Sequence, residues 1–385
     1  MPICNVGNAL HVCMRSILQQ DFQDFELLVV DDHSRDQSLS IISQWAKQDS
    51  RIKLVRNKGR GIVDALNSGL HHTRNEYIAR MDGDDIMQPD RLSRQLAALQ
   101  QNPGLDLVAS RVIGFGRGGL HSGLQKGYRV YLDWQNKLLS HQQLCEHMYV
   151  ESTLAHPSVV FRRSTVMRLG AYRNGDFPED YDLWLRMMQH GCRFAKLPHY
   201  LLFWRDGEKR ASRTDTRYQR EKFDDIRAKY LCRDKRVPRH RPLWFWGAGR
   251  RTRQRVASLI RMGIKPSAWI DIDPKKIGQR IAGVPVYPPD SIQAIAEVAL
   301  CDKKALSEIK ALSEIKAFSK KKAAPLQIPA IVPISANRPF ANAPQNHRSK
   351  PFIMVLVNNH GAKELIENFL QGIGYISQRD YLLFG

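Results

Sequence analysis

Three carboxylates fall within four positions at Asp82, Asp84 and Asp85, directly after the run Tyr77-Ile78-Ala79-Arg80-Met81. That much negative charge in one place costs stability unless a cation joins it. The apolar run, with a β-branched and an aromatic residue, reads as a strand that delivers acids to a site. In an open α/β sheet, ligands bind beyond the carboxyl ends of the strands, where acids can hold a metal against a phosphate. Mg²⁺ in particular is usually held by one or two carboxylates plus substrate phosphates. The competing reading is an acidic turn, because Asp and Gly are ordinary turn residues and a helix follows from Arg91 to Gln100.

A second acid pair, Asp31-Asp32, ends the near-continuous apolar run Phe25 to Val30, the pattern of a strand buried on both faces. Ser34, Asp36 or Ser38 can cap the helix after it. Two acid clusters at the ends of two strands favour a phosphate-handling site over two unrelated turns. A third pair, Glu179-Asp180, follows Pro178 and opens a helix whose Tyr181, Trp184, Leu185 and Met188 form an apolar face. Acids at a helix amino terminus also have a purely structural reading through the dipole.

The elements that must position these acids alternate. Strand-like and helix-like segments interleave up to about residue 110, with strands at 25–30, 52–55 and 76–81 and helices at 10–18 and 61–72. This is the signature of a mostly parallel sheet flanked by helices. Met1-Pro2-Ile3-Cys4-Asn5 reads as the end of a first strand that is almost absent, so the sequence is expected either to begin inside a longer one or to have a misassigned start. Leu92, Leu96 and Leu99 give a core-facing helix. From Arg111 to Val150 the pattern is irregular and glycine-rich, which assigns it to loops that recognise an acceptor.

At 385 residues the chain exceeds what one hydrophobic core supports, so two domains are expected. No apolar run approaches membrane-spanning length. The first residues lack a basic and apolar leader, which places the protein in the cytoplasm. Six cysteines without a Cys-x-x-Cys pair exclude a zinc or disulfide framework. The net charge of +21 attracts anionic substrates and anionic lipid, with peripheral contact at the inner face of the membrane as one consequence. The signatures of nucleic-acid-binding modules are missing, so no nucleic-acid partner is expected.

Pro2-x-x-Asn5, Val30-Asp31-Asp32-x-Ser34-x-Asp36, Gly69 to Tyr77 and Asp82-Gly83-Asp84-Asp85 occur in this order and spacing. Together they resemble the family 2 glycosyltransferases with the GT-A fold. The resemblance implies an inverting, metal-dependent sugar transfer from a nucleotide-sugar donor, UDP-linked by preference, to a saccharide or lipid-linked acceptor in bacterial polysaccharide or glycoconjugate synthesis. It places Pro2, Asn5, Asp31 and Asp32 at the nucleotide, and Asp82 and Asp84 at the ribose and a Mg²⁺ or Mn²⁺ ion. It makes Asp180, beside Glu179, the catalytic base. The chain departs from the family where Cys4 replaces an aromatic residue near the base and where Gly207 replaces a metal-binding histidine. His156 and His199 are the candidate substitutes.

Beyond a basic linker at 216–240, Leu243 to Arg251 reads as a strand entering a Gly247-x-Gly249 turn, and Asp271 lies 24 residues after Gly247. This is half of a dinucleotide fingerprint and matches a Rossmann-like domain, with or without a nucleotide. The expected organisation is therefore α/β throughout: a GT-A domain at 1–215 with a truncated first strand, the linker, and a smaller Rossmann-like domain at 241–385. Within the latter, the repeat Ala305–Lys316 and the low-complexity sequence around it form a flexible insertion at 302–350. Two other classes compete: an inactive nucleotide-sugar-binding scaffold, and an NAD(P)-binding, sugar-modifying activity in the second domain.

Overall fold

The computed structural model describes residues 1–116, 119–120, 124–207, 210–294, 350–357 and 360–384, which form two units, Met1–Asp234 and Lys235–Phe384. The first opens as the alternation predicts: β1 (Pro2–Ile3), α1 (Ala9–Leu18), β2 (Leu27–Asp31), α2 (Ser38–Gln48), β3 (Ile52–Arg56) and α3 (Ile62–His72). The strands make a parallel sheet in the order β1-β2-β3. Helix α1 buries Leu10, Cys13, Met14 and Ile17, an i, i+3, i+4, i+7 stripe. These four join Ile3, Leu27 and Val29 in one core.

A second sheet carries the rest of the unit. It is built from β4 (Tyr77–Ala79), β5 (Ile86–Met87), β6 (Leu107–Gly116), β7 (Gly119–Leu120), β8 (Val160–Arg162) and β9 (Phe194–Arg205). Its order is β4-β8-β6-β9-β5, with β7 beside β6, and it is mixed: β6 and β9 run parallel while β4, β8 and β5 pair antiparallel. Between β5 and β6 lies α4 (Arg91–Gln101). The stretch expected as acceptor loops holds two helices, α5 (Lys126–Lys137) and α6 (His141–His147). Helix α5 hides from sequence reading because polar residues serve its inner face. Asn136 donates to Val112 O (2.8 Å) and accepts from Val112 N (2.9 Å), closing the edge of β6 as a strand would.

The outer edges of the two sheets frame a void. Strand β1 pairs with β2 only at Val30 and Asp31, and β4 is an outer strand of its sheet. A cavity of about 580 Å³ lies against both, lined by Leu27, Leu28, Leu66, Tyr77, Ile78 and Phe161 among others. The Met1 amino group donates to Leu28 O at 2.8 Å, and burial, helped by Arg80, lowers its pKa to about 5. An amine depressed in this way destabilises the fold as pH falls from about 8 toward 5, because the unfolded chain takes up a proton that the folded one refuses. Adding four apolar, β-branched residues ahead of Met1 is expected to lengthen β1 into the cavity and to abolish that pH dependence. Filling cavities adds about 0.5–2 kcal/mol, or roughly 1–8 °C in Tm for a unit of this size. Thermal melts at pH 8 and pH 6 check it; an unchanged Tm at both would show that the slot rejects a strand.

The unit continues with α7 (Arg163–Arg168), α8 (Glu179–Gln189), α9 (Ala211–Thr214) and α10 (Arg220–Leu231). Residues 216–240, expected as a linker, contribute α10 to the first unit. The helix buries Ile226, Ala228, Tyr230 and Leu231, and the Tyr230 hydroxyl donates to Asp182 of α8 at 2.6 Å. Its many charges mask this apolar stripe in the sequence.

In the second unit, β10 (Leu243–Trp246), α11 (Arg250–Arg255), α12 (Ala257–Arg261), β11 (Ala268–Ile270), β12 (Arg280–Ile281), β13 (Val284–Tyr287), β14 (Phe352–Val355), α13 (His360–Gly372) and β15 (Tyr381–Leu383) follow in turn. The parallel strands lie in the order β13-β11-β10-β14-β15, with β12 antiparallel at one edge. Numbered in chain order among the described residues, the parallel strands lie as 3-2-1-4-5. Gly247, at φ 117°, makes the turn after β10. Asp271 accepts from Ala248 N at 2.9 Å and pairs with Lys276 at 3.1 Å, so it closes the glycine turn from within. The insertion expected at 302–350 lies, up to residue 349, outside the described residues.

Among the described residues no helix is long and apolar enough to cross a membrane.

Candidate active site

The ends of β1 and β2 are tied to each other. Asn5 sits in the left-handed region (φ 52°), donates its N–H to Ser34 Oγ (3.1 Å) and accepts from Arg35 N (2.8 Å). Buried Asp31 accepts from Ser34 N at 3.3 Å. Asp32 takes Gly61 N on both oxygens (3.1 and 2.9 Å) and Asn57 Nδ2 at 2.8 Å, so it anchors the loop after β3. Pro2 lies opposite Val30 in the ladder. Cys4 is exposed, and its thiol pKa is raised by burial of the sulfur and then by Asp32, Asp31 and Asp36. The end of β1 therefore faces these acids.

The turn 82–85 packs against the same corner. A Cβ on Gly83 would lie 2.9 Å from Ile3 Cγ2, so only glycine lets the turn approach β1. Asp84 has a raised pKa, from burial and then from Asp82. Asp85 is 1% exposed and is pushed well up by burial and by both neighbouring acids. Its Oδ1 accepts from Arg205 N at 2.8 Å, whereas its Oδ2 is buried without a hydrogen-bond partner among the described residues. Three carboxylates crowd this turn and one oxygen is orphaned, yet among the described residues no group of three or more His, Cys, Asp or Glu side chains is arranged to hold a metal ion.

Glu179 and Asp180 open α8. Glu179 is buried, accepts from the Tyr218 hydroxyl at 2.6 Å, and has a pKa raised by burial. Asp180 accepts from Tyr181 N at 2.7 Å, and burial followed by the charge of Glu179 pushes its pKa up to about 7. Arg80 links this pair to the acid turn. It is 6% exposed, forms an ion pair with Asp82, and its charge acts on both Glu179 and Asp180. One buried guanidinium thus pairs with Asp82, and its charge also lowers the proton affinity of both α8 acids. Helix α8 is itself locked by Arg186, which pairs with Asp182 at 2.7 Å and donates to Leu169 O and Ala171 O.

Neither candidate histidine joins the acid turn. His156 is buried against Tyr172 (2.8 Å to its hydroxyl) and Trp184, and burial lowers its pKa well below the usual value. His199 pairs with Arg94 at 3.1 Å. Besides Arg80, Arg205 meets the turn by donating to Asp84 O at 2.7 Å, and the charges of Arg205 and Arg210 both act on Asp84. Sequence reasoning missed Arg80, Arg205, Arg210 and Tyr218. The one available signal was Arg80, a charge embedded in an apolar strand.

The family model for "Glycosyl transferase family 2" matches residues 1–170. The amylovoran biosynthesis glycosyltransferase AmsE of Erwinia amylovora is 31% identical over 51% of this chain and 71% of that protein. The UDP-Gal:alpha-D-GlcNAc-diphosphoundecaprenol beta-1,3-galactosyltransferase of Escherichia coli is 26% identical over 53% of this chain and 71% of that protein. Among solved structures, S. aureus TarS 1-349 in complex with UDP-GlcNAc aligns over 60% of this chain and 70% of that one, at 17% identity and a TM-score of 0.45. The chain belongs to glycosyl transferase family 2, and the helix-flanked α/β sheets of its first unit are the GT-A architecture of that family.

Proposed function

We propose that this glycosyltransferase moves a sugar from a UDP-linked donor to a saccharide or lipid-linked acceptor, with inversion, in bacterial polysaccharide or glycoconjugate assembly. The observation that carries this reading is Arg80, the buried cation shared by the acid turn and the α8 carboxylates. The names of the two relatives, one for amylovoran biosynthesis and one for a UDP-sugar and a diphosphoundecaprenol-linked acceptor, support the donor and acceptor classes. The net charge of +21 favours an anionic, lipid-linked acceptor and peripheral contact with an anionic membrane.

Pro2, Asn5, Asp31 and Asp32 form the nucleotide end of the site in this reading, with the two acids as acceptors for base and ribose hydroxyls. Asp84 and Asp82 would hold a Mg²⁺ or Mn²⁺ ion against the diphosphate. The ion supplies Lewis-acid stabilisation of the leaving group when bound. Asp180 takes the proton of the attacking acceptor hydroxyl. Burial keeps its basicity near neutral pH, where general-base help is most effective. Glu179, fixed by Tyr218, raises that basicity further through its charge. Direct attack opposite the leaving group needs no covalent nucleophile, and none is assigned.

Calorimetric titration of the protein with UDP, with and without Mn²⁺, tests the reading. Saturable binding that strengthens with Mn²⁺ is the expected result. A folded protein that binds no UDP under either condition would overturn it.

A further inference from the structure

We propose that Tyr218 is a positioning residue for the acids that open α8: its hydroxyl fixes the negative charge on Glu179, and that charge keeps the neighbouring Asp180 basic. The inference rests on the reading of Asp180 as the base and deepens it.

The two acids differ in access and in partners. Glu179 is 2% exposed, whereas Asp180 is only half-buried. The Tyr218 hydroxyl donates to Glu179 Oε2 at 2.6 Å, within the short range of hydrogen bonds to an ionised oxygen. Asp180 accepts from Tyr181 N, the next residue of its own helix. Among the described residues, Tyr218 therefore gives the pair its one hydrogen bond from outside α8. The enclosed acid has this donor and the accessible one lacks it, so the roles separate: Glu179 holds charge and Asp180 meets the acceptor.

The segment carrying Tyr218 is pinned on both sides. Before it, Asp215 accepts from Arg217 N at 2.9 Å and from Arg217 Nε at 3.1 Å, and Tyr218 N donates to Asp215 O at 3.1 Å. After it, the Phe223 ring lies 5.5 Å from that of Tyr181, and the Tyr230 hydroxyl donates to Asp182 at 2.6 Å. Two tyrosine hydroxyls from one segment thus take Glu179 and Asp182, which share a face of α8 at i, i+3.

The charges around the pair do not replace this bond. Arg80 pairs with Asp82 and Arg217 with Asp215; both act on Glu179 through space, and Arg80 also acts on Asp180. The charge of Asp180 reaches Tyr172, which is bonded to His156, and Tyr131 of α5, but burial raises both phenols and lowers His156, so all three stay neutral. Burial and then the charges of Glu179 and Asp180 push the Tyr218 hydroxyl up in the same way, so it remains a donor. A hydrogen bond to the ionised form of a carboxyl favours that form, and a like charge disfavours ionisation of the carboxyl beside it. Without the hydroxyl, the proton shared by the pair shifts toward Glu179 and Asp180 becomes the weaker base.

The test labels the aspartate side-chain carboxyls of the full chain with ¹³C and follows the Asp180 signal by NMR as pH is varied, the signal being identified by its loss in Asp180→Asn. In wild type it is expected to titrate at about 7. In Tyr218→Phe the midpoint is expected to fall by about one unit, the coupling at which such pairs titrate together. Glu179→Gln should lower it as well, and Tyr218→Phe should add no further shift on that background, because the hydroxyl acts through the Glu179 charge. A wild-type midpoint in the ordinary carboxylate range, an unmoved midpoint in folded Tyr218→Phe, or a further shift in the double variant would overturn the role. A tyrosine that only braces α8 changes the melting temperature and leaves the titration alone. Should Tyr218→Phe not fold, a Glu179→Gln midpoint equal to wild type would overturn the proposal and a lower one would support it. UDP calorimetry on the same wild-type sample reports separately on the nucleotide-sugar reading: absent UDP binding beside the expected shifts would overturn that reading and uphold the effect of Tyr218 on Asp180.

Discussion

Asp180→Asn is expected to lower turnover by at least the roughly 10²- to 10⁴-fold that general-base help contributes, while UDP affinity stays within about twofold. The amide keeps the shape at the start of α8 and can accept from Tyr181 N as the carboxylate does. It cannot take a proton from an acceptor hydroxyl. In the wild-type enzyme, kcat/KM is expected to rise with pH and level off above about 7, because the ionised form of Asp180 is the base. The same shift carries a stability consequence of known sign. A carboxyl whose folded pKa is raised keeps its proton in the native state after the unfolded chain has lost it. It therefore lowers stability progressively as pH climbs from about 4 to about 7. Asp180→Asn should thus melt above wild type at pH 8 and match it near pH 4. Unchanged turnover in a folded Asp180→Asn protein would sink the assignment, and a stable protein that binds UDP but transfers nothing even as wild type would favour a binding role.

Asp84→Ala is the second large effect. Mn²⁺-dependent UDP binding should fall by at least tenfold, the lower end of what losing even an outer partner of a metal site costs, whereas the weaker metal-free binding should barely change. The variant is not expected to unfold. Asp84 has its proton affinity raised by burial and by Asp82, so removing it relieves repulsion in a turn that also holds buried Asp85. A thermal melt run beside the titration separates the two effects. If Asp84→Ala retained the full metal-dependent gain in UDP affinity, the metal would have to sit elsewhere.

Local pattern accounts for what the sequence determined by itself. Apolar runs of four to six residues ending in acids mark β2 and β4, and the i, i+3, i+4, i+7 stripe marks α1, because strand and helix burial repeat within a few residues. Motif order along the first half of the chain was enough to reach the family. Where charged or amide side chains do the packing, the pattern fails: Asn136 closes the edge of β6 from α5, and α10 buries Arg227 and Asp224 along with its apolar residues.

The tertiary structure alone decided how the acids are wired. Arg205 meets Asp84 across 121 residues, Tyr218 meets Glu179 across 39, and the charge of Arg80, next after β4, acts on Asp180 of α8. It likewise decided that the sheet is divided, with a cavity beside the two-residue β1, and that His156 is spent on Tyr172. Such contacts leave no periodic trace, since a side chain's partner is set by which strand edges meet and not by its sequence neighbours. The charge that a buried carboxylate carries depends on that partner and on the water it loses, and both exist only once the chain has closed around it.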